Sequence, residues 1–329
     1  MEILDLRLIS RQDLEPLLQE ERTLWRDFLR WDFSSTAAMV IRFLEAHALT
    51  GYAAVEDGRA VAYSFFVYEN HKGLLGDAFV SPSFRDGVTE VRLLTHVLET
   101  LQATPGIQRV EAQLLQLDGA GVRELFRSQG FRVFDRRFLF LGLSGTPAFF
   151  PPSALALEVR PWEMRWFTEA AGLITRAYHD HVDSAISDQY WSQAGATRFL
   201  ENIIHYPGCG AFLPEASYLA FSPGASSPCG MILTSVVSDR VAHITQLCVA
   251  PEMHGRGAGR WLITHGLRAL RDRGFQAVTL TVTASNARAL RLYEQFGFTT
   301  LAVFPAFAWD SPAVHLRAAE RKAAIRSAG

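Results

Sequence analysis

The chain reads as one pattern written twice, and that repetition limits its possible folds more than any other feature. In the first half the strand-like run LLGDAFV ends at Ser81-Pro82 and precedes a helical stretch through Leu93, Leu94, Val97 and Leu98. In the second half HITQLCV ends at Ala250-Pro251 and precedes Leu262, Ile263, Leu267 and Leu270, again at helical spacing. Downstream, ELFRSQGF around Gly130-Phe131 answers RLYEQFGF around Gly297-Phe298. The paired landmarks lie about 167 to 169 positions apart, a domain-sized period. Each half opens with a short strand and helical segments and continues through a hairpin, a long helix, a strand, a short helix and a final strand. That order predicts an α+β fold with a mixed sheet in each half.

The boundary is expected in SGTPAFFPPSALA, Ser144 to Ala156, whose three prolines cannot donate to a strand ladder. The expected division is a first domain at 1–146, a linker at 147–154 and a second domain at 155–329, ending in an Ala-, Arg- and Lys-rich tail from about Ser311. At 329 residues two cores are the natural expectation. With Lys+Arg 32 against Asp+Glu 34 there is no dominant charge, which argues against nucleic acid as the main ligand. The N-terminal segment lacks the pattern of a signal peptide and no run reaches membrane-spanning length, so no membrane partner is expected. Cys209, Cys229 and Cys248 are too few and too irregular for a disulfide framework or a zinc site, and a reducing cytoplasm is the expected compartment.

The stretch that carries chemistry is LCVAPEMHGRGAGRWLI, a strand, a proline, three alternating glycines and an amphipathic helix. Glycines let backbone N–H groups converge, and the helix adds the positive end of its dipole, so the segment forms an anion site. Arg256 and Arg260 are placed to add charge-assisted contacts. No Gly-Lys-Ser/Thr follows, so this is not a P-loop, and Gly255, Gly257 and Gly259 miss the G-x-G-x-x-G spacing of dinucleotide folds. An ordinary Gly-rich turn is the plainer alternative. Gly274 is expected to end the long helix, QAVTLTV to form a buried strand, and Ser285 or Asn286 to cap a short helix that Gly297 closes.

Beyond the loop, Asn286, Ala289, Tyr293 and Gly297-Phe298 fall in the order N-x-x-A-x-x-x-Y-x-x-x-G-F. Together with the loop, this pattern resembles the GNAT superfamily of acyl-CoA-dependent N-acyltransferases, specifically from about His243 to Phe304 and only faintly over the first half. The resemblance implies two tandem GNAT domains, each a mostly antiparallel mixed sheet flanked by helices, with acetyl-CoA as cosubstrate and no metal. It implies that the backbone from His254 through Gly255, Arg256, Gly257, Ala258 and Gly259 holds the CoA pyrophosphate, with Arg260 beside it. His254 stands where the family usually has Gln or Arg. Leu247 and Val249 match the strand whose free amides pair with the pantetheine arm, and the Leu247 N–H is the implied donor to the thioester oxygen. Asn286 is implied to touch the cofactor arm and Tyr293 to protonate the departing thiolate. Taken singly, Tyr293 reads as a core aromatic and Asn286 as a helix cap.

Aligned on the same landmarks, the first half places Val88 and Glu90 opposite Gly257 and Gly259, Gly119 opposite Asn286, and Phe126 opposite Tyr293. Each change removes a functional group, so the first copy is expected to keep the fold without the cofactor. The expected reaction is direct transfer in a ternary complex to a primary amine of unidentified structure, with a base near the splayed strands. His181 and Asp183 rank first for that base, from the polar stretch AYHDHVDSAISDQY, ahead of Gln246 and His243. The same stretch suggests a metal only weakly, since H-x-H-x-D lacks a supporting third element. The alternative from another class is a non-catalytic acyl-CoA sensor or interaction module. A homodimer is compatible with the sequence.

Overall fold

The computed structural model describes residues 1–144, 157–206 and 208–312, and the expected linker at 147–154 and the tail beyond Pro312 lie outside the described residues. The chain divides into two compact units. Of the described residues, the first comprises those within Met1–Leu24, Ala37–Asp135 and from Val303 to Pro312, and the second those within Trp25–Thr36 and Arg136–Ala302.

The sheet of the first unit runs β1 (Glu2–Asp5), β2 (Gly51–Glu56), β3 (Arg59–Glu69), β4 (Lys72–Val80), β5 (Arg109–Gln113) and then the last strand of the chain, β13 (Thr299–Asp310). All its pairs are antiparallel except β4 and β5, which are parallel from Lys72↔Arg109 to Leu75↔Ala112. A parallel pair needs a crossover, and α3 (Val88–Ala103) supplies it. Helices α1 (Arg11–Leu24), α2 (Ser34–Glu45) and α4 (Ala120–Ser128) complete the first repeat. Leu93, Leu94, Val97, Leu98 and Leu101 of α3 are fully buried, and Phe126 stacks on Phe307 of β13 with ring centroids 3.7 Å apart.

The second unit repeats the plan. Its sheet runs β6 (Arg132–Gly142), β12 (Ala277–Thr283), β11 (Val241–Val249), β10 (Gly230–Ser238), β9 (Tyr218–Phe221) and β7 (Glu158–Pro161), with β8 (Ala211–Phe212) also against β10. Only β11 and β12 pair in parallel, joined by α8 (Ala258–Asp272). Its other helices are α5 (Phe167–Ala177), α6 (Val182–Ile186), α7 (Gln193–His205) and α9 (Ala287–Gln295). The buried positions Leu262, Ile263, Leu267 and Leu270 of α8 fall on the same register as Leu93, Leu94, Leu98 and Leu101, as the landmark alignment requires.

The borders of these units depart from the sequence halves 1–146 and 155–329 in two respects: Trp25–Thr36 falls in the second unit, and the final strands are exchanged. The final strand of the first repeat, β6, pairs with β12 from Arg136↔Thr283 to Gly142↔Ala277, and the final strand of the second repeat, β13, pairs with β5 from Ala306↔Gln113 to Asp310↔Arg109. Each repeat therefore gives its last strand to the sheet built on the other. Phe138, Leu139 and Leu141 of β6 are buried in the second unit, and Phe307 and Ala308 of β13 in the first.

Candidate active site

The β11–β12 ladder stops at Ile244↔Leu280, although β11 runs on to Val249, so the two parallel strands part and leave one edge of β11 open. A bulge at Thr245 accompanies the parting, since Thr234 pairs with Ile244 and the adjacent Leu233 with Gln246. Ala250 N–H donates to the Cys229 carbonyl across the β10 side, and by alternation the backbones of Cys248 and Gln246 face that way while Leu247 and Val249 face the open edge. This parting opens a cavity of about 370 Å³ within the second unit.

The α8 N-terminus forms one wall. Gly257 precedes the helix at φ 89°, a left-handed conformation that glycine adopts without a Cβ penalty. No side chain caps α8 and its first turn holds no acid, so the amides of Ala258, Gly259 and Arg260 are left for a ligand. Gly259 has a packing role as well: a Cβ there would lie 3.2 Å from Leu292 Cδ2 and 3.8 Å from Val249 Cγ2, so glycine lets α8 press onto α9 and the strand edge. Gly255 and Arg260 line the cavity, whereas Arg256 is exposed and does not. The His254 ring Nε2 lies 2.9 Å from the Val249 carbonyl, so this residue braces the loop against the open strand. Burial pulls its pKa below the usual histidine value.

The opposite wall comes from α6, α9 and the end of α5. Asn286 caps α9, its Oδ1 accepting from Ala289 N–H at 3.1 Å, and its Nδ2 is 3.1 Å from His181 Nε2. His181 Nδ1 lies 3.1 Å from the Asp183 amide nitrogen and 3.8 Å from its carboxylate. The Asp183 N–H donates to Nδ1, and a neutral imidazole has one acceptor nitrogen, so it can serve only one of these two donors at a time. Asp183 in turn accepts from the Thr283 hydroxyl. Gln246 Nε2 donates to the Tyr178 hydroxyl at 3.0 Å, and Tyr178 stacks on Tyr190 with centroids 4.1 Å apart.

Tyr293 is 7% exposed and lines the same cavity. Burial first, then the Asp183 charge, raises its pKa above the usual phenol value, and its hydroxyl has no hydrogen-bond partner among the described residues. Cys248 also lines the cavity, but burial pushes its thiol up to about 12, which keeps it protonated at neutral pH.

The structure thus gathers Leu247, Val249, His254, Gly255, Gly257, Ala258, Gly259, Arg260, Asn286, Tyr293, His181, Asp183 and Gln246 around one cavity. It leaves out Arg256 and His243. The His243 ring lies 2.8 Å from the Thr279 hydroxyl and 4.9 Å from the Trp31 centroid, and burial holds its pKa at about 3. His179 is exposed and pairs with Asp180 at 2.9 Å, and among the described residues no group of three or more His, Cys, Asp or Glu is placed to hold a metal ion. The sequence reading missed Arg136, Arg288 and Tyr178 as lining residues. Tyr178 lies within the polar stretch already singled out, while Arg136 stands on a strand that the sequence assigns to the other repeat.

The corresponding loop of the first unit is satisfied from within. Asp86 Oδ1 accepts from the amides of Val88 and Thr89 at 2.9 Å each, and Glu90 Oε2 accepts from Gly87 at 2.8 Å. Gly119 offers α4 no side-chain cap, and Phe126 is fully buried. Carboxylates of the chain itself occupy the amides that the second unit leaves open.

Residues 173–298 match the Acetyltransferase (GNAT) family model. A mycothiol acetyltransferase of Thermobifida fusca is 29% identical over 189 residues, covering 54% of this chain and 51% of that protein, and one of Thermomonospora curvata is 44% identical over 92 residues, covering 28% and 30%. The matches thus span about half or less of those relatives' length. Among solved structures, a GCN5-related N-acetyltransferase from Sphaerobacter thermophilus superposes with a TM-score of 0.64 at 18% identity, covering 88% of this chain and 91% of that one. A tandem GNAT protein from the clavulanic acid biosynthesis pathway gives 0.60 at 12% identity, covering 94% and 98%. Residues 173–298 are thus similar to the GNAT acetyltransferase family, and the described residues share the fold of solved GNAT structures, a tandem one among them.

Proposed function

We propose that the second unit transfers an acetyl group from acetyl-CoA to a primary amine, directly and within a ternary complex. The observation that carries this reading is the meeting, in one cavity, of an uncapped helix N-terminus, an open strand edge and the unpartnered hydroxyl of a buried tyrosine. The acid-free first turn of α8 and the glycine at its start suit a pyrophosphate, held by the amides of Gly257, Ala258, Gly259 and Arg260, since those of His254 and Arg256 already donate to the Pro251 and Met253 carbonyls. The Leu247 N–H faces the position where a thioester oxygen gains negative charge. The amine attacks the carbonyl carbon, the C–S bond breaks, Tyr293 gives its proton to the departing sulfur, and the proton lost by the amine passes to His181, which Asp183 backs. A thiol held near 12 makes Cys248 a poor covalent relay, which favours direct attack over an acyl-enzyme.

The test is release of free CoA from acetyl-CoA across an amine panel, with a mycothiol-type amine included on account of the relatives' name. Turnover with at least one amine, lost in Tyr293→Phe, is the expected result. Tight binding of acetyl-CoA with no transfer across the panel overturns catalysis in favour of a sensor.

A further inference from the structure

The cavity carries its cations in two places. Arg260 on α8 and Arg288 on α9 belong to the side where Val249 meets Gly259 and where Ile232, paired with Leu247, meets Gly266. Arg136 belongs to the other side. Its register partner on β12 is Thr283, and paired residues of neighbouring strands project from the same face of the sheet. The Thr283 hydroxyl donates to Asp183, so Arg136 and Asp183 share a face, the one to which Gln246 turns to reach Tyr178 at the end of α5.

Arg136 is also unsatisfied. Its Nε is buried with no hydrogen-bond partner, and among the described residues its guanidinium has no ion pair. The buried Arg109 of the first unit, by contrast, pairs with Glu111 at 2.5 Å and with Asp310 at 2.7 Å. A half-buried guanidinium without a counter-ion is costly unless a ligand supplies one, and a planar fork of donors matches a carboxylate. The acceptor side thus presents one unpaired cation and, close by, one carboxylate held by a hydroxyl.

We infer that the acceptor is a small zwitterionic amino acid, its carboxylate bound by Arg136 and its amine directed to the His181–Asp183 end of the cavity. The inference rests on the acyltransferase reading and narrows it to a substrate class. Arg136 is a specificity residue that binds the acceptor and takes no part in proton transfer. Because it lies on β6, the first repeat supplies the acceptor anchor of the second repeat's site.

The experiment uses the full chain at saturating acetyl-CoA with α-, β- and γ-amino acids, each paired with its carboxamide. The wild type should favour at least one free acid over its amide by about tenfold or more in kcat/KM, the size of one charge-assisted contact. Arg136→Gln should erase that preference by raising KM for the acid, with kcat and the amide's KM within about threefold. Arg136→Lys should restore part of it, and acetyl-CoA affinity by calorimetry should be unchanged in both variants. Equal use of acid and amide by the wild type, or equal loss on both in Arg136→Gln, overturns the anchor while leaving acetyl transfer intact. If no amine turns over, the same pairs are tested as ligands of the CoA-saturated protein by thermal shift. Stabilisation by an acid alone, lost in Arg136→Gln, keeps the anchor and sinks the transfer reading, and no stabilisation by either member overturns the anchor.

Discussion

Replacing Tyr293 by phenylalanine separates a chemical role from a structural one, because the structure gives opposite magnitudes for the two. The hydroxyl has no hydrogen-bond partner among the described residues, so its removal breaks no bond, and stability should move by less than about 0.5 kcal/mol. The ring itself is buried against Phe298, with centroids 5.7 Å apart, and phenylalanine keeps that contact. The first repeat already carries Phe126 at the matching position, fully buried, so the scaffold accepts the change. Loss of a general acid, by contrast, costs about 10²- to 10⁴-fold in rate, or roughly 3 to 5 kcal/mol of activation free energy. Steady-state CoA release and a denaturant melt on the same preparation measure both quantities. The deficit in kcat should shrink when acetyl-CoA is replaced by a thioester with a more acidic thiol, since a better leaving group needs less protonation. Because Tyr293 titrates above the usual phenol range, it stays protonated through neutral pH and contributes no fall in rate there. A variant with kcat within about twofold of wild type, or one that loses rate only in proportion to lost stability, refutes the assignment of Tyr293 as the acid.

Gly257→Glu should abolish acetyl-CoA binding in calorimetry, because φ 89° strains any side chain and the carboxylate would sit beside the open amides. Asn286→Ala should destabilise the fold by about 1 kcal/mol through loss of the α9 cap, whereas Asn286→Asp keeps the cap and loses only the donor toward His181; equal stability losses in the two variants would count against the split. His243 makes stability fall with acid. Unfolded histidine takes a proton below about pH 6.5 while the folded ring does so only near 3, so stability present at neutral pH is lost as pH falls through that window, by about 1.4 kcal/mol per unit and about 5 kcal/mol in all. Urea melts at pH 7 and pH 4.5 should show that slope in the wild type and a reduced one in His243→Leu.

The sequence made much of this legible. The repeat, the helix registers and the N-x-x-A-x-x-x-Y spacing are local patterns, and local patterns survive into structure where packing agrees with them. Asn286 proved to be both the plain cap and a cavity residue, so the two readings were not rivals. What stayed hidden depends on pairing at long range. The hydrophobic runs of β6 and β13 suit either sheet, and nothing in their residues says which partner they choose. Arg136 was missed for that reason. The bulge at Thr245 leaves no mark in a run of residues that alternates normally on either side. His243 and His181 are each a histidine in a polar setting, and only burial separates the core ring beside Trp31 from the one in the cavity.

The crossing of the two last strands also bears on how this chain is made and how it arose. Asp310 must find Arg109 across 201 positions, so the first sheet cannot be completed until synthesis has passed Asp310. A gene cut at the proline-rich segment would yield two products, each deprived of an edge it needs, and either should be aggregation-prone when expressed alone. Co-expressing them should restore both. The same geometry is what two copies of a single-repeat ancestor would form by swapping their final strands, with later fusion making the swap permanent. Fused in that way, the first copy would remain tied to the second through β6, whether or not it kept a ligand site of its own.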